Sequence, residues 1–131
     1  MKNNASKTFS PQARANSFRY AFKGLKLFFT TQHNSWIHLF AAFLVIGAGF
    51  FFGISKTEWL FVTMAIALVL ITEILNTAFE FLVDLVSPEY NELAGKVKDL
   101  AAGAVLFTAL MAAAIGVLVF GPYLLALSGL N

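Results

Sequence analysis

Residues 100–127 read LAAGAVLFTALMAAAIGVLVFGPYLLAL and contain no formally charged side chain. A bilayer core takes about 20 consecutive apolar residues in helical form, so this stretch is long enough to cross a membrane. It is continuously apolar rather than alternating, and an open strand could not satisfy its backbone hydrogen bonds in lipid. The stretch therefore predicts a transmembrane helix.

Two further apolar stretches precede it. The three stretches predict transmembrane helices over residues 36–54, 59–86 and 100–122. Hydrophobic residues make up 59% of the 131-residue chain and charged residues only 12%, whereas soluble domains carry about a quarter charged residues. We expect an all-α integral membrane protein, with one domain over residues 1–131. The chain has no cysteine, and its net charge of +2 is too small to indicate nucleic-acid binding.

The N-terminal part predicts a polar tail over residues 1–10 and an amphipathic surface helix over 11–31. In the second segment, apolar side chains recur at helical spacing beside a basic flank of Arg19, Lys23 and Lys26. Six Lys and Arg residues precede the first span, whereas the turn after it holds only Lys56. The positive-inside rule therefore places the N-terminus in the cytoplasm and the C-terminus outside.

The second apolar stretch carries polar residues on one side. Glu73, Asn76, Glu80 and Asp84 fall within about 80° of arc on a helix. An acid in the middle of a bilayer costs about 2.5 to 3.5 kcal/mol unless protein, water or a cation faces it. A row of carboxylates near the cytoplasmic side suits Mg²⁺ shared with nucleotide phosphates. The alternative is a structural polar seam between helices.

The connection after this stretch combines a helix-start signal with charged residues. Serine often caps the start of a helix with its hydroxyl, and proline is common as the first helical residue. Ser87 and Pro88 therefore predict a helix that begins at Pro88 and continues into the third span. Lys98 and Asp99 could contact a phosphate and a ribose or metal, although a charged connection is more often merely solvated. The two histidines, His33 and His38, lack the further ligands of a metal site.

From Ser17 to Leu118 the chain resembles the prokaryotic diacylglycerol kinase family, small three-span enzymes that include the undecaprenol kinases. The resemblance is strongest over EILNTAFEFLVD (residues 73–84), which contains the family pattern Glu-x-x-Asn-[Ser/Thr]-Ala-x-Glu. VDLVSP (83–88) and KDLAAGAV (98–105) are more similar to the undecaprenol kinase branch.

The resemblance implies a homotrimer in the bacterial inner membrane, with composite active sites at the cytoplasmic face. It implies ATP-dependent phosphorylation of a membrane lipid alcohol, undecaprenol or diacylglycerol, with Mg²⁺ as cofactor. Glu73 would be the general base and Asn76 would position the reacting groups. Glu80 and Gln32 match metal-binding positions. The positions that match nucleotide contacts are Tyr20, Gln32, Glu80, Glu89, Asn91, Lys98 and Asp99.

Gln32 departs from the family pattern, which usually has a second metal-binding glutamate there. An amide oxygen can coordinate Mg²⁺ but carries no negative charge, so we expect weaker metal binding.

Two other functions compete with the kinase. One is a small proton-coupled transporter in which Glu73 carries the proton, and the other is a catalytically weakened structural relative.

Overall fold

The computed structural model describes residues 10–129, except for the side chain of His33. Within that range the chain forms four helices and no strand. The helices are α1 (Pro11–Thr31), α2 (His33–Phe52), α3 (Lys56–Val86) and α4 (Glu92–Ser128). The all-helical architecture predicted from the sequence is confirmed, whereas the trimer stays a prediction.

The start of α1 is fixed by a cap and a proline. The Ser10 hydroxyl oxygen accepts a hydrogen bond from the Ala13 backbone N–H at 3.3 Å, and Pro11 follows as the first helical residue. Ser10 therefore belongs to the helix start rather than to the predicted polar tail, whose residues 1–9 lie outside the described range. Phe18 and Phe22 are more than two-thirds exposed. Such an amphipathic helix suits a membrane surface, which stays its predicted location.

Of the four helices in the described range, three are long and apolar enough to cross a membrane. α3 and α4 contain 31 and 37 residues, so at 1.5 Å per residue they are about 46 and 55 Å long. Both exceed a hydrocarbon core of about 30 Å, so their ends reach the polar interface. α4 contains the third predicted span, 100–122, and is longer than that span, since it begins at Glu92 and continues through Pro122 to Ser128.

The turn between α2 and α3 is held by specific contacts. Gly53 ends α2 with a φ of +62°, a left-handed conformation that glycine adopts without strain. Ser55 and Glu58 then form a reciprocal capping box at the start of α3. The Trp59 indole lies directly over Gly49, where a Cβ would be 2.7 Å from the ring. The first two long helices are therefore in close contact at this end.

A second set of contacts joins the same turn to α4. The Tyr123 hydroxyl donates a hydrogen bond to the Glu58 carboxylate at 2.9 Å. Ile54, Val62 and Val119 form a buried apolar cluster beside this bond. We call this region of the bundle the turn end. The opposite region, where α3 ends and α4 begins, is called the site end below.

The connection at the site end differs from the prediction. α3 ends at Val86 with Ser87 as its C-terminal cap, and α4 begins only at Glu92. The Asn91 side-chain oxygen caps α4 by accepting hydrogen bonds from the backbone N–H groups of Leu93 and Ala94. The predicted helix start at Pro88 is therefore wrong. A residue before proline is disfavoured in helical conformation, so Ser87-Pro88 ends one helix instead of starting the next.

Candidate active site

The predicted polar face of α3 runs from the middle of the helix to its site end. Glu73 is buried, with 4% of its surface exposed. Asn76 and Glu80 are half-buried, and Asp84 is exposed near the end of the helix. The four side chains thus form a row that leads from a buried carboxylate in the middle of α3 to an exposed carboxylate near its end. A charged ligand that binds at the exposed end can extend along this row towards Glu73.

The buried carboxylate of Glu73 contacts His38 of α2. His38 Nε2 lies 2.9 Å from Glu73 Oε1. His38 is not among the site residues predicted from the sequence, because the two histidines lack the further ligands of a metal site. Both residues lie about 20 to 25 Å along their helices from the α2–α3 turn at 1.5 Å per residue. Equal depth of two polar residues in adjacent spans is the signal that would have identified the pair.

Asn76 and Glu80 form the next contact along the row. The Asn76 side-chain N–H donates a hydrogen bond to Glu80 Oε1 at 3.0 Å. The Asn76 Oδ1 atom is buried and has no hydrogen-bond partner. An unpaired buried acceptor costs about 1 to 3 kcal/mol, so a donor supplied by a ligand or a bound water would stabilise this site. The sequence-predicted residues Glu73, Asn76 and Glu80 are thus consecutive along one face.

An ion pair connects the end of the row with α4. Lys98 Nζ lies 2.6 Å from Asp84 Oδ1. Both side chains are partly exposed, at 39% and 63%, so the pair contributes at most about 1 kcal/mol to stability. An ammonium group has three donors, which leaves Lys98 able to bind a further anion. Asp99 is exposed beside it and has no ion-pair partner among the described side chains.

Gln32 is the single residue between α1 and α2. It is the N-terminal cap of α2 by its backbone, and its side chain makes no capping hydrogen bond. Instead, the fully buried Ser35 donates its hydroxyl to the Gln32 carbonyl oxygen at 2.6 Å. The backbone at Gln32 is therefore held in place, whereas its side-chain amide remains available to a ligand.

The other predicted nucleotide residues lie outside this row. Tyr20 is 61% exposed on α1, with the Arg19 guanidinium 5.7 Å from its ring centroid. Glu89 is exposed in the connection, where its carbonyl oxygen accepts a hydrogen bond from Ser87. Asn91 uses its side-chain oxygen to cap α4, so only its amide N–H groups remain for a nucleotide. The fold does not bring these three side chains into contact with Glu73.

Two clefts meet at His38. A polar cleft of about 250 Å³ is lined by Asn34, His38, Glu73 and Asn76, and by apolar residues of α4. An apolar cleft of about 270 Å³ continues from His38 between α2, α3 and α4. A buried carboxylate thus borders a space for polar groups that adjoins a space for hydrocarbon. This arrangement suits a substrate with a hydroxyl group and an apolar chain.

Comparison with known proteins identifies the family of the chain. Residues 19–120 match the family described as prokaryotic diacylglycerol kinase. A diacylglycerol kinase from Synechocystis sp. is 43% identical over 112 residues, which are 85% of this chain and 64% of that protein. This chain thus spans less than two-thirds of that relative.

Two further relatives are covered more fully. An undecaprenol kinase from Bacillus subtilis is 38% identical over 82% of this chain and 88% of its own length. A diacylglycerol kinase from Escherichia coli K12 is 35% identical over 71% of this chain and 76% of its own length. A match over most of the chain, together with three membrane-spanning candidates and a buried glutamate on α3, shows that this protein belongs to the prokaryotic diacylglycerol kinase family of membrane lipid kinases.

Proposed function

We propose that the protein transfers the γ-phosphoryl group of ATP to the hydroxyl group of a membrane lipid, either undecaprenol or diacylglycerol. The observation that carries this proposal is the buried Glu73 carboxylate, which lines a polar cleft directly beside an apolar one. A lipid alcohol has the same two parts. The relatives named diacylglycerol kinase and undecaprenol kinase support the same class of substrate.

Glu73 is proposed as the general base. Its carboxylate takes the proton of the lipid hydroxyl as the lipid oxygen forms a bond to the γ-phosphorus. The bond from that phosphorus to the oxygen it shares with the β-phosphate breaks, which leaves a lipid phosphate and ADP. A base must lie within hydrogen-bond reach of the proton that it removes. Asn76 lines the same cleft and positions the reacting groups through its unpaired Oδ1.

Glu80 and Gln32 are proposed to hold Mg²⁺. Within residues 10–129 no group of three or more acidic or histidine side chains forms a metal site by itself. Mg²⁺ is nevertheless commonly held by one or two carboxylates together with waters and substrate phosphates. The Glu80 carboxylate and the free Gln32 amide supply suitable oxygen atoms, so the residues fit. When bound, the ion supplies positive charge that neutralises the phosphates.

The remaining predicted residues are proposed to bind the nucleotide at the site end. Lys98 already holds its ammonium group beside Asp84, and it would place that charge near a phosphate. Asp99 and Glu89 are exposed acceptors for ribose or amino groups of the nucleotide. Asn91 and Tyr20 belong to the same predicted set. Because these residues are spread over α1, the connection and α4, a composite site in a homotrimer is part of this proposal.

The proposed orientation places the site end in the cytoplasm, where ATP is present. The charge distribution supports it, since α1 carries Arg14, Arg19, Lys23 and Lys26 and no acid. The turn end and the C-terminus are then outside. The localisation that follows is the bacterial cytoplasmic membrane.

A phosphate-transfer assay tests the function and its lipid. The protein is purified in mixed micelles with Mg²⁺ and ATP labelled at the γ-phosphate, and undecaprenol and diacylglycerol are offered separately. Esters of both lipids that lack a free hydroxyl are the matched controls. Transfer to one alcohol and to neither ester supports the proposal and identifies the substrate. Folded protein that transfers phosphate to neither alcohol contradicts the kinase, and proton flux in vesicles would then favour the transporter.

Gln32→Glu is expected to lower the Mg²⁺ concentration for half-maximal activity by roughly 5- to 10-fold, which corresponds to about 1 to 1.4 kcal/mol. The added carboxylate places a negative charge where only an amide oxygen is available. The measurement is the initial rate of transfer across a Mg²⁺ titration at saturating ATP. Gln32→Asn, which keeps the amide, is the control. An unchanged Mg²⁺ dependence in the glutamate variant would remove position 32 from the proposed metal site.

A further inference from the structure

The Glu73 carboxylate has a single side-chain partner in the described part of the chain. His38 Nε2 lies 2.9 Å from Glu73 Oε1. The nearby Thr77 hydroxyl donates to the backbone carbonyl oxygen of Glu73 rather than to its carboxylate. One carboxylate oxygen is therefore held by His38, whereas the other has no partner among the described side chains.

The role of general base decides which of the two groups donates. A base must be ionised to take a proton, and an ionised carboxylate has no proton to donate, so in that role of Glu73 the His38 Nε2 atom carries the hydrogen. The ring is about three-quarters buried and the carboxylate is 5% exposed, so little water competes for this bond. A hydrogen bond at such a site limits the rotation of the glutamate side chain. A base that is oriented by a third group is a recurring arrangement in catalysis.

His38 also lies at the boundary of the two clefts, since it lines both. The other polar groups on the polar cleft are the uncharged amides Asn34 and Asn76. Glu73 is the titratable group of α3 that faces the ring, and the α4 residues that line this cleft are apolar. Among the described side chains, the acceptor within hydrogen-bond distance of the ring is Glu73, the proposed base.

We propose that His38 is a positioning residue for the transfer reaction. Its Nε2–H holds Glu73 Oε1 and leaves Oε2 for the lipid hydroxyl in the polar cleft that Glu73 lines. His38 acts as a hydrogen-bond donor and touches neither the nucleotide nor the phosphoryl group. This inference rests on the proposed function, because it requires Glu73 to be the base.

Two substitutions test whether His38 acts as a hydrogen-bond donor or only fills space or carries charge. His38→Leu fills similar volume without a donor, and His38→Gln restores an N–H near the same place. We expect His38→Leu to lower kcat by about 10- to 100-fold, by analogy with the loss of a residue that orients a metal ligand, with the KM for ATP changed less than about twofold. His38→Gln should recover most of that loss. Equal losses in both variants, a loss confined to KM, or a normal kcat in the leucine variant would overturn the proposal.

A measurement without turnover tests the contact itself. The chain has two histidines, so His33→Gln leaves a sample in which ring ¹⁵N resonances report on His38 alone. We expect the tautomer protonated at Nε2, with a ring shift that changes in a Glu73→Ala background. A ring protonated only at Nδ1, or one insensitive to Glu73, would contradict the proposal. Wild-type protein that shows the expected tautomer but transfers no phosphate would instead refute the proposed function, and with it the catalytic purpose of the contact.

Discussion

Glu73→Gln is expected to lower the rate of phosphate transfer by about 10²- to 10⁴-fold, the usual contribution of a general base. A glutamine oxygen can still accept the hydrogen bond from His38, so the substitution preserves the contact between α2 and α3 while it removes the ability to take a proton. The measurement is the initial rate of transfer from labelled ATP to the preferred lipid, together with the thermal unfolding temperature in the same micelles.

Glu58→Gln is the matched control. It makes the same chemical change on the same helix, about 22 Å from Glu73 along the axis. Its side-chain oxygen can still accept from Tyr123 and from the Ser55 backbone, so we expect a near-normal rate. Glu73→Asp should give an intermediate rate, because the carboxylate is kept but withdrawn by about one bond length. A glutamine variant at position 73 with a rate within a few-fold of wild type would refute the role of base.

Glu80→Gln is expected to lower activity by about 10²- to 10³-fold, the effect of removing one group that stabilises transition-state charge. The new side chain can still accept the hydrogen bond from Asn76, so the neighbouring geometry is retained and only the negative charge is lost. Activity should recover in part as Mg²⁺ is raised. Transfer rates measured across a Mg²⁺ titration check both effects.

A charge exchange tests whether positions 32 and 80 face the same ion. The double variant Gln32→Glu, Glu80→Gln moves one carboxylate across the proposed metal site without changing the net charge. If both side chains hold one Mg²⁺, the double variant should be more active than Glu80→Gln alone. A double variant no better than the single one, at every Mg²⁺ concentration, would separate Gln32 from the metal.

The helices and the polar face of α3 were predictable because they depend only on the length of each apolar stretch and on the spacing of residues along it. Twenty apolar residues are enough to cross a bilayer, and 100° per residue places Glu73, Asn76 and Glu80 on one side. The family pattern assigned roles to the same residues. The structure places the three residues on one helix, with Glu73 buried and the other two half-buried, whereas their roles stay proposals.

The misplaced helix start shows where local signals conflict. Serine followed by proline can begin a helix, but proline also keeps the preceding residue out of one. Asn91 supplies a capping oxygen that reaches two backbone N–H groups, and the structure uses it instead. Asn91 is predicted from the sequence only as a nucleotide contact, and its role as a helix cap emerges from the structure.

The contacts of His38 and Lys98 could not be obtained from periodicity. Both depend on which residues of separate helices face each other, and that is set by the α2–α3 turn and by the packing of α3 on α4. Comparison of depth in the two spans would have suggested the His38 pair. The sequence offers no comparable rule for the partner of Lys98, which lies at an exposed helix end.

The unequal packing of the helices has a consequence for how a lipid reaches the site. α3 and α4 are joined at the turn end by the Glu58–Tyr123 bond and at the site end by residues 87–91 and the Lys98–Asp84 pair. α2 packs against them much less extensively than they pack against each other. The apolar cleft runs between the three helices as far as His38. A lipid chain that arrives sideways within the bilayer therefore enters most easily by displacing α2, without separation of α3 from α4.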